Sequence, residues 1–159
     1  MEARILIEGE AAALAAQHIT AAELDALDVF VAQIGAANHQ GGAGEGPDEA
    51  FHRLIAKASR NKAMELAVGN LWDLRSTSPD CALLHEKART ANVEPVVDEH
   101  SAILQALRAH DPEAARRAMR AHLSQVIEHL LFAIEQDAVE QARASVESTR
   151  RRYLPGEAS

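Results

Sequence analysis

Apolar residues recur along this chain at intervals of three and four, the spacing that gathers side chains on one face of an α-helix. Residues 3–17 carry Ile5, Leu6, Ala12 or Ala13 and Ala16 in that rhythm, with Arg4 and Glu8 one turn apart, and predict a first helix despite Gly9. Thr20-Ala21-Ala22-Glu23 has the form of a capping box. There the hydroxyl and the carboxylate satisfy free amides at a helix start, so a second helix is expected over 21–38 with Leu24, Leu27 or Asp28, Val31 and Ile34 inward. The run Gln40–Gly46 is a glycine-rich loop, and Pro47 suits the first turn of a third helix over about 47–58. Ser59-Arg60-Asn61 ends it and caps a fourth over 62–76, whose expected core face is Met64, Ala67 or Val68, Leu71 and Leu74, with Trp72 and Arg75 on the flanks.

Between Ser76 and Glu94 the periodicity is poor, and only a short helix around Leu83, Leu84 and His85 is suggested. A stripe of Val96, His100, Ile103, Leu104 and Leu107 then predicts a helix over 95–109. In His110-Asp111-Pro112-Glu113, Asp111 serves as N-cap, Pro112 takes the first position and Glu113 complements the helix dipole. The helix that starts there is the longest, reaching at least Gln136 and as far as Ser148, with Ala115, Met119, His122, Val126, His129 or Leu130 and Ala133 inward. The remainder, RRRYLPGEAS, is expected to fray. The pattern is that of an all-α protein, an antiparallel helical bundle of six to seven helices.

Composition agrees and narrows the function. At 159 residues the chain fits one domain, and 47% hydrophobic residues with 3% aromatics, 8 Gly and 5 Pro favour long Ala- and Leu-rich helices over strands. A net charge of -8 argues against holding nucleic acid by phosphate neutralisation, and the one basic run, Arg150-Arg151-Arg152, is short and terminal. The single cysteine, Cys81, excludes an intramolecular disulfide framework and a cysteine-based zinc site. No apolar stretch approaches membrane-span length and no signal-peptide layout opens the chain, so a cytoplasmic protein is expected.

Candidate chemistry lies in Pro47-Asp48-Glu49-Ala50-Phe51-His52, where a carboxylate and an imidazole four residues apart share one helical face. His100 and His122 sit on apolar faces of two further helices. Any one of these histidines, taken alone, reads most simply as a core imidazole bonded to a carbonyl, and Asp48 alone as a first-turn acid. Together, Asp48, His52, His100 and His122 form a nitrogen and oxygen donor set suited to zinc, nickel, manganese or iron(II), with about two positions left open on an ion that prefers six ligands. His129, one heptad beyond His122, is the substitute ligand; His18, His39, His85 and His110 read as surface or packing residues. Arg4 and Arg75 lie beside apolar faces, where a guanidinium could grip a carboxylate; the plainer reading of either is a solvated arginine paired with Glu8 or Asp73.

Four ordered segments resemble the FCD ligand-binding domain of FadR-type regulators in the GntR family. EARILIEGEAAALAA is similar to its opening helix with arginine and glutamate. DEAFHRLIAKASRN resembles its Asp-x-x-Phe-His segment and asparagine turn, EHSAILQAL its Glu-His-x-x-Ile helix, and DPEAARRAMRAHL the stretch before its last metal histidine. The chain departs from the pattern at Lys62, where proline is usual, and aligns poorly over 76–94. The resemblance implies a dimerising antiparallel bundle over 1–150 with a flexible tail at 151–159, a divalent metal held by Asp48, His52, His100 and His122, and a small carboxylate effector gripped by Arg4 and, less specifically, Arg75. It implies too that operator DNA is bound by an N-terminal winged helix-turn-helix absent from this chain. The rival class is a metal-dependent hydrolase or isomerase using the same ligands. That reading needs a spare general base, and Glu49 and Glu99, adjacent in sequence to ligands, are expected to point to other helical faces. A non-enzymatic sensor is therefore the favoured reading.

Overall fold

A computed structural model describes residues 2–39, 45–90 and 95–153. Among these residues there are seven helices and no strand: α1 (Glu2–His18), α2 (Ala21–His39), α3 (Glu45–Ala58), α4 (Lys62–Thr77), α5 (Pro79–Thr90), α6 (Val97–Arg108) and α7 (Pro112–Tyr153). The glycine-rich stretch before Glu45 and the last residues of the expected tail lie outside the described residues, as do the side chains of His39 and His85.

Side-chain caps set three of the helix starts. The Thr20 amide donates to Glu23 Oε2 at 3.0 Å while the Glu23 amide donates to Thr20 Oγ1 at 3.3 Å, so the capping box that opens α2 is reciprocal. Asn61 Oδ1 accepts from the amides of Ala63 and Met64 at the start of α4, and Asp111 Oδ1 accepts from Ala114 at the start of α7. Two reversals need left-handed backbone without glycine, at Arg60 (φ 56°) and His110 (φ 49°). Each is tethered by its side chain: the Arg60 guanidinium forks onto Glu23, and His110 Nδ1 donates to the Ala16 carbonyl at the end of α1.

The main core joins Phe51 and Ile55 of α3 to Leu24 and Leu27 of α2, Ile103, Leu104 and Leu107 of α6, Met119 and Leu123 of α7, and the alanines of α1. Small residues at 11, 12, 13, 15 and 16 are all buried, which lets α1 lie deep in the bundle. Gly9 extends this close approach, since a Cβ there would fall 2.8 Å from Arg120 Cγ of α7. Burying each large apolar side chain contributes roughly 1.5–3 kcal/mol, so this cluster is what orders the bundle and clamps the elements that carry Asp48, His52, His100 and His122.

The expected face of α4 is corrected. Val68 and Trp72 are its buried residues, packed with Ala11 and Ala56, whereas Leu74 is 48% exposed. The indole supplies more apolar area than Leu74 and turns α4 so that Trp72 faces α1 and α3. The poorly patterned stretch holds a full helix, α5, with α6 starting two residues later than Pro95. Among the described side chains of α5 none is fully buried, so no apolar stripe marks it. α7 continues as helix to Tyr153, past the expected end. No helix among the described residues is long and apolar enough to cross a membrane.

Candidate metal centre

Asp48 projects from the first turn of α3 and His52 from its middle, His100 from the first turn of α6 and His122 from the first third of α7. All are buried, with His100 at 0%, His52 at 1%, His122 at 3% and Asp48 at 8% exposure. One donor atom from each lies within 4.8 Å of all the others. Core packing holds the rings: Phe51 makes edge contacts with His52 and His100, at centroid distances of 5.7 and 5.0 Å. His129, the substitute ligand, is not in the cluster.

Each imidazole is held from behind. His100 Nδ1 donates to the Val96 carbonyl at 2.8 Å, which leaves Nε2 to face Asp48 Oδ1 at 2.9 Å. The same Val96 carbonyl also accepts the His100 amide at 3.4 Å. His122 Nδ1 donates to Glu99 Oε2 at 2.8 Å. His52 Nδ1 lies 2.5 Å from Glu8 Oε2, a close ionic contact without hydrogen-bond alignment, since both atoms lack a hydrogen-bond partner. Glu8 in turn accepts from Arg4 Nε through Oε1 at 2.5 Å. A carboxylate or carbonyl behind a histidine fixes its tautomer and orientation and raises its basicity, the usual arrangement behind metal-binding imidazoles.

The charges follow from these contacts. Burial alone would raise Glu8, but the charges of His52 and Arg4 hold its carboxyl down at about 2. Burial likewise opposes ionisation of Asp48, yet the His100 and His52 rings beside it keep it well below the ordinary range. His52 is raised: its burial is outweighed by the negative charges of Glu8 and Asp48. Burial pushes His122 down to about 4, against the pull of Glu99, so this ring is neutral at physiological pH. Two carboxylates thus demand positive charge at His52, while the neighbouring His122 ring offers a free lone pair.

The donor set fits a divalent metal. His52 Nε2 is buried without a hydrogen-bond partner and stands 3.5 Å from Asp48 Oδ1. The lone pair of His100 Nε2 is aimed at a carboxylate oxygen, a repulsive pairing of two acceptors unless a proton or a cation lies between them.

Beside the cluster, Arg4 and Arg75 each place a guanidinium 4.3 Å from the Trp72 ring centroid. Arg75 Nη1 reaches Asp48 Oδ2 at 3.5 Å. Burial depresses Arg75 below its usual range; Asp48 opposes the effect and the like charge of Arg4 adds to it. Arg4 is paired with Glu8 as its spacing suggests, but buried at 4% exposure rather than solvated.

Sequence reasoning missed Glu8, Glu99 and Trp72. Glu49 does turn away, onto Arg53. Glu99 leaves the His100 face of α6 as expected, but in doing so meets His122 on α7. The signal for Glu8 was present in its four-residue spacing from Arg4; for Glu99 none exists within one helix.

A sequence model of the FCD domain matches residues 1–125. The Exu regulon transcriptional regulator of Escherichia coli (strain K12) is 35% identical over 123 residues, covering 77% of this chain and 47% of that protein. The putative L-lactate dehydrogenase operon regulatory protein of the same organism is 30% identical over an alignment covering 99% of this chain and 57% of that protein. Among solved structures, GntR of Streptococcus agalactiae superposes with a TM-score of 0.60 at 31% identity, over 79% of this chain and 54% of that one. The chain spans about half the length of the curated relatives it matches. Those relatives are named as regulators, and the chain is a regulatory domain rather than the hydrolase or isomerase of the rival reading. It belongs to the FCD family, the regulatory domain of GntR-type transcription regulators.

Proposed function

We propose that this domain is the effector sensor of a cytoplasmic, homodimeric transcription regulator, and that it binds a small carboxylic acid at a divalent metal held by Asp48, His52, His100 and His122. Operator DNA would be held by an N-terminal domain outside this chain, in keeping with the acidic charge here. The observation that carries the reading is the shared orientation of the three imidazoles: each has Nδ1 engaged from behind, by Glu8, Val96 or Glu99, and Nε2 left for the centre. Neutral nitrogen donors with one carboxylate suit zinc, nickel or manganese. Such an ion would supply a Lewis-acidic positive charge with positions left for an oxygen ligand.

The acid class follows from the charges around the cluster. Glu8 pairs with Arg4, Asp48 with Arg75 and Glu99 with His122, which leaves one net negative charge when the histidines are neutral. A divalent cation turns this into one net positive charge, which matches a single carboxylate. Arg4 Nη2 and Trp72 Nε1 are buried donors with no partner, and an unmade hydrogen bond of this kind costs roughly 1–3 kcal/mol. A carboxylate oxygen would satisfy them, and would relieve the repulsion between Arg4 and Arg75. Hydroxy acids, dicarboxylic acids and sugar acids are the expected ligands. One relative, named for an L-lactate dehydrogenase operon, concerns an enzyme of a hydroxy acid.

Metal analysis of the purified chain tests the first half of the proposal. About one divalent ion per chain is expected, lost in His100→Ala and His122→Ala. No ion bound and no thermal shift with added zinc, nickel or manganese would reject it.

A further inference from the structure

The FCD match ends at residue 125, but α7 runs on to Tyr153. This extension adds about 40 Å of helix at 1.5 Å per residue. Its last fully buried residue is Ala133, and beyond it stand Val139, Val146 and Tyr153 at 38%, 61% and 69% exposure, in line with Phe132 at 56%. The four are seven residues apart. At 100° per residue a seven-residue step turns the side chain by only about 20°, so they form one continuous stripe. The stripe lies half a turn from the face that carries Leu130, Ala133 and Asp137, and Asp137 is the residue that bonds Lys87 of α5 at 2.8 Å. The apolar line therefore faces away from the domain's own core. A shallow groove of about 450 Å³ along the extension is lined by Ala142, Arg143, Val146, Glu147 and Arg150.

We propose that this extension is a self-association element in which the α7 ends of two copies pair antiparallel through the Phe132, Val139, Val146 and Tyr153 stripe. The occupant is a second copy because the segment is complementary to itself. Its upstream half carries Glu135, Asp137 and Glu140 and its downstream end Arg150, Arg151 and Arg152. An antiparallel register that sets Val139 against the second copy's Val146 also sets Phe132 against Tyr153 and Glu135 against Arg150. A parallel pair would place like charges side by side, which selects against it. Apolar positions at a seven-residue interval supply one of the two seam positions of a heptad, and the other, three residues on, is taken by Glu135, Ala142 and Thr149, small at its middle and charged near one end. The inference stands apart from the metal reading, since it uses no residue of that centre.

Disulfide trapping tests it on the whole chain in a Cys81→Ser background, with circular dichroism confirming the fold; the exposed positions used make no core contacts to lose. In the antiparallel register, Val139→Cys and Val146→Cys chains cross-link with each other when mixed. Neither links to itself, because like positions are separated by seven residues, beyond disulfide reach. Phe132→Asp added to both cysteine variants should remove the cross-link while keeping both thiols in place. Glu135→Arg should lower its yield several-fold, and Arg150→Glu added on the same chain should restore it. Self-linking of each single variant would show a parallel pair and overturn the proposal. So would the absence of any mixed cross-link in folded protein at 100 µM, a concentration on the order of the weak end of specific association, or a yield indifferent to Phe132→Asp. The last outcome would leave the face to another domain of a longer protein.

Discussion

The carboxylate of Glu99 on α6 accepts the Nδ1 proton of His122 on α7 across 2.8 Å. One residue along, His100 donates its own Nδ1 to the backbone of Val96. The first turn of α6 therefore orients two imidazoles at once, one of its own and one of its neighbour. Losing an outer partner of a metal-bound histidine typically lowers metal affinity about 10- to 100-fold. Glu99→Ala should do so while leaving the fold intact, as read by competition with a chelating indicator. Unchanged affinity would show that His122 needs no orienting partner.

Arg4 and Glu8 form a buried pair, and removing one member of such a pair costs about 3–5 kcal/mol because the other charge is left without compensation. Glu8 also faces His52. Arg4→Ala should therefore destabilise the whole domain in urea melts. The double variant Arg4→Met with Glu8→Gln should recover much of that loss yet bind metal more weakly, since His52 loses its charged partner. Equal stability of Arg4→Ala and wild type would contradict the pairing.

Gly9 marks a close approach of α1 to α7, with the position of an added Cβ 2.8 Å from Arg120 Cγ and 2.9 Å from Nε. Overpacking costs roughly 1–3 kcal/mol, against about 1 kcal/mol gained from alanine's helix preference. Gly9→Ala should lower the melting temperature. In an Arg120→Ala background the same change should raise it, and a double-mutant cycle showing no coupling would refute the contact.

Glu23 closes the Thr20 capping box and receives the Arg60 fork. Its slight desolvation is outweighed by the Arg60 hydrogen bond and those from Thr20, so its carboxyl lies below the ordinary 4.5. A depressed folded value means a stabilisation fully present above the unfolded value near 4.5 and lost as the pH falls through the folded one. Glu23→Gln should be less stable than wild type at neutral pH by about 1 kcal/mol. That gap should close in acid, and a gap constant with pH would contradict the assignment.

The helices and their caps were legible because each depends on residues within one turn, as in Thr20 with Glu23 or Asn61 with Met64. The Asp48 and His52 pair was legible for the same reason, and His100 and His122 stood out as polar rings on apolar stripes. What sequence spacing does not carry is the rotation of one helix against another. That rotation decides that Trp72 is buried and Leu74 exposed, and that Glu99, turned off its own helix face, lands on His122. Of α5 only the short stretch around Leu83, Leu84 and His85 was legible, because a helix with no fully buried residue among its described side chains has no apolar stripe to show.

The central claim is that metal and acid share one site, and calorimetric titration of a panel of hydroxy acids, dicarboxylic acids and sugar acids tests it most directly. Acids should bind the metal-loaded chain, while their amides and neutral sugars should not. Binding should be absent from the stripped chain, which lacks the two positive charges of the ion. Arg4→Lys keeps a charge for Glu8 but loses the guanidinium fork, and should weaken acid binding by ~1.5–3 kcal/mol, about ten- to a hundredfold, with metal content unchanged. Tight binding of a neutral ligand, or acid affinity that survives both metal removal and Arg4→Lys, would contradict the account.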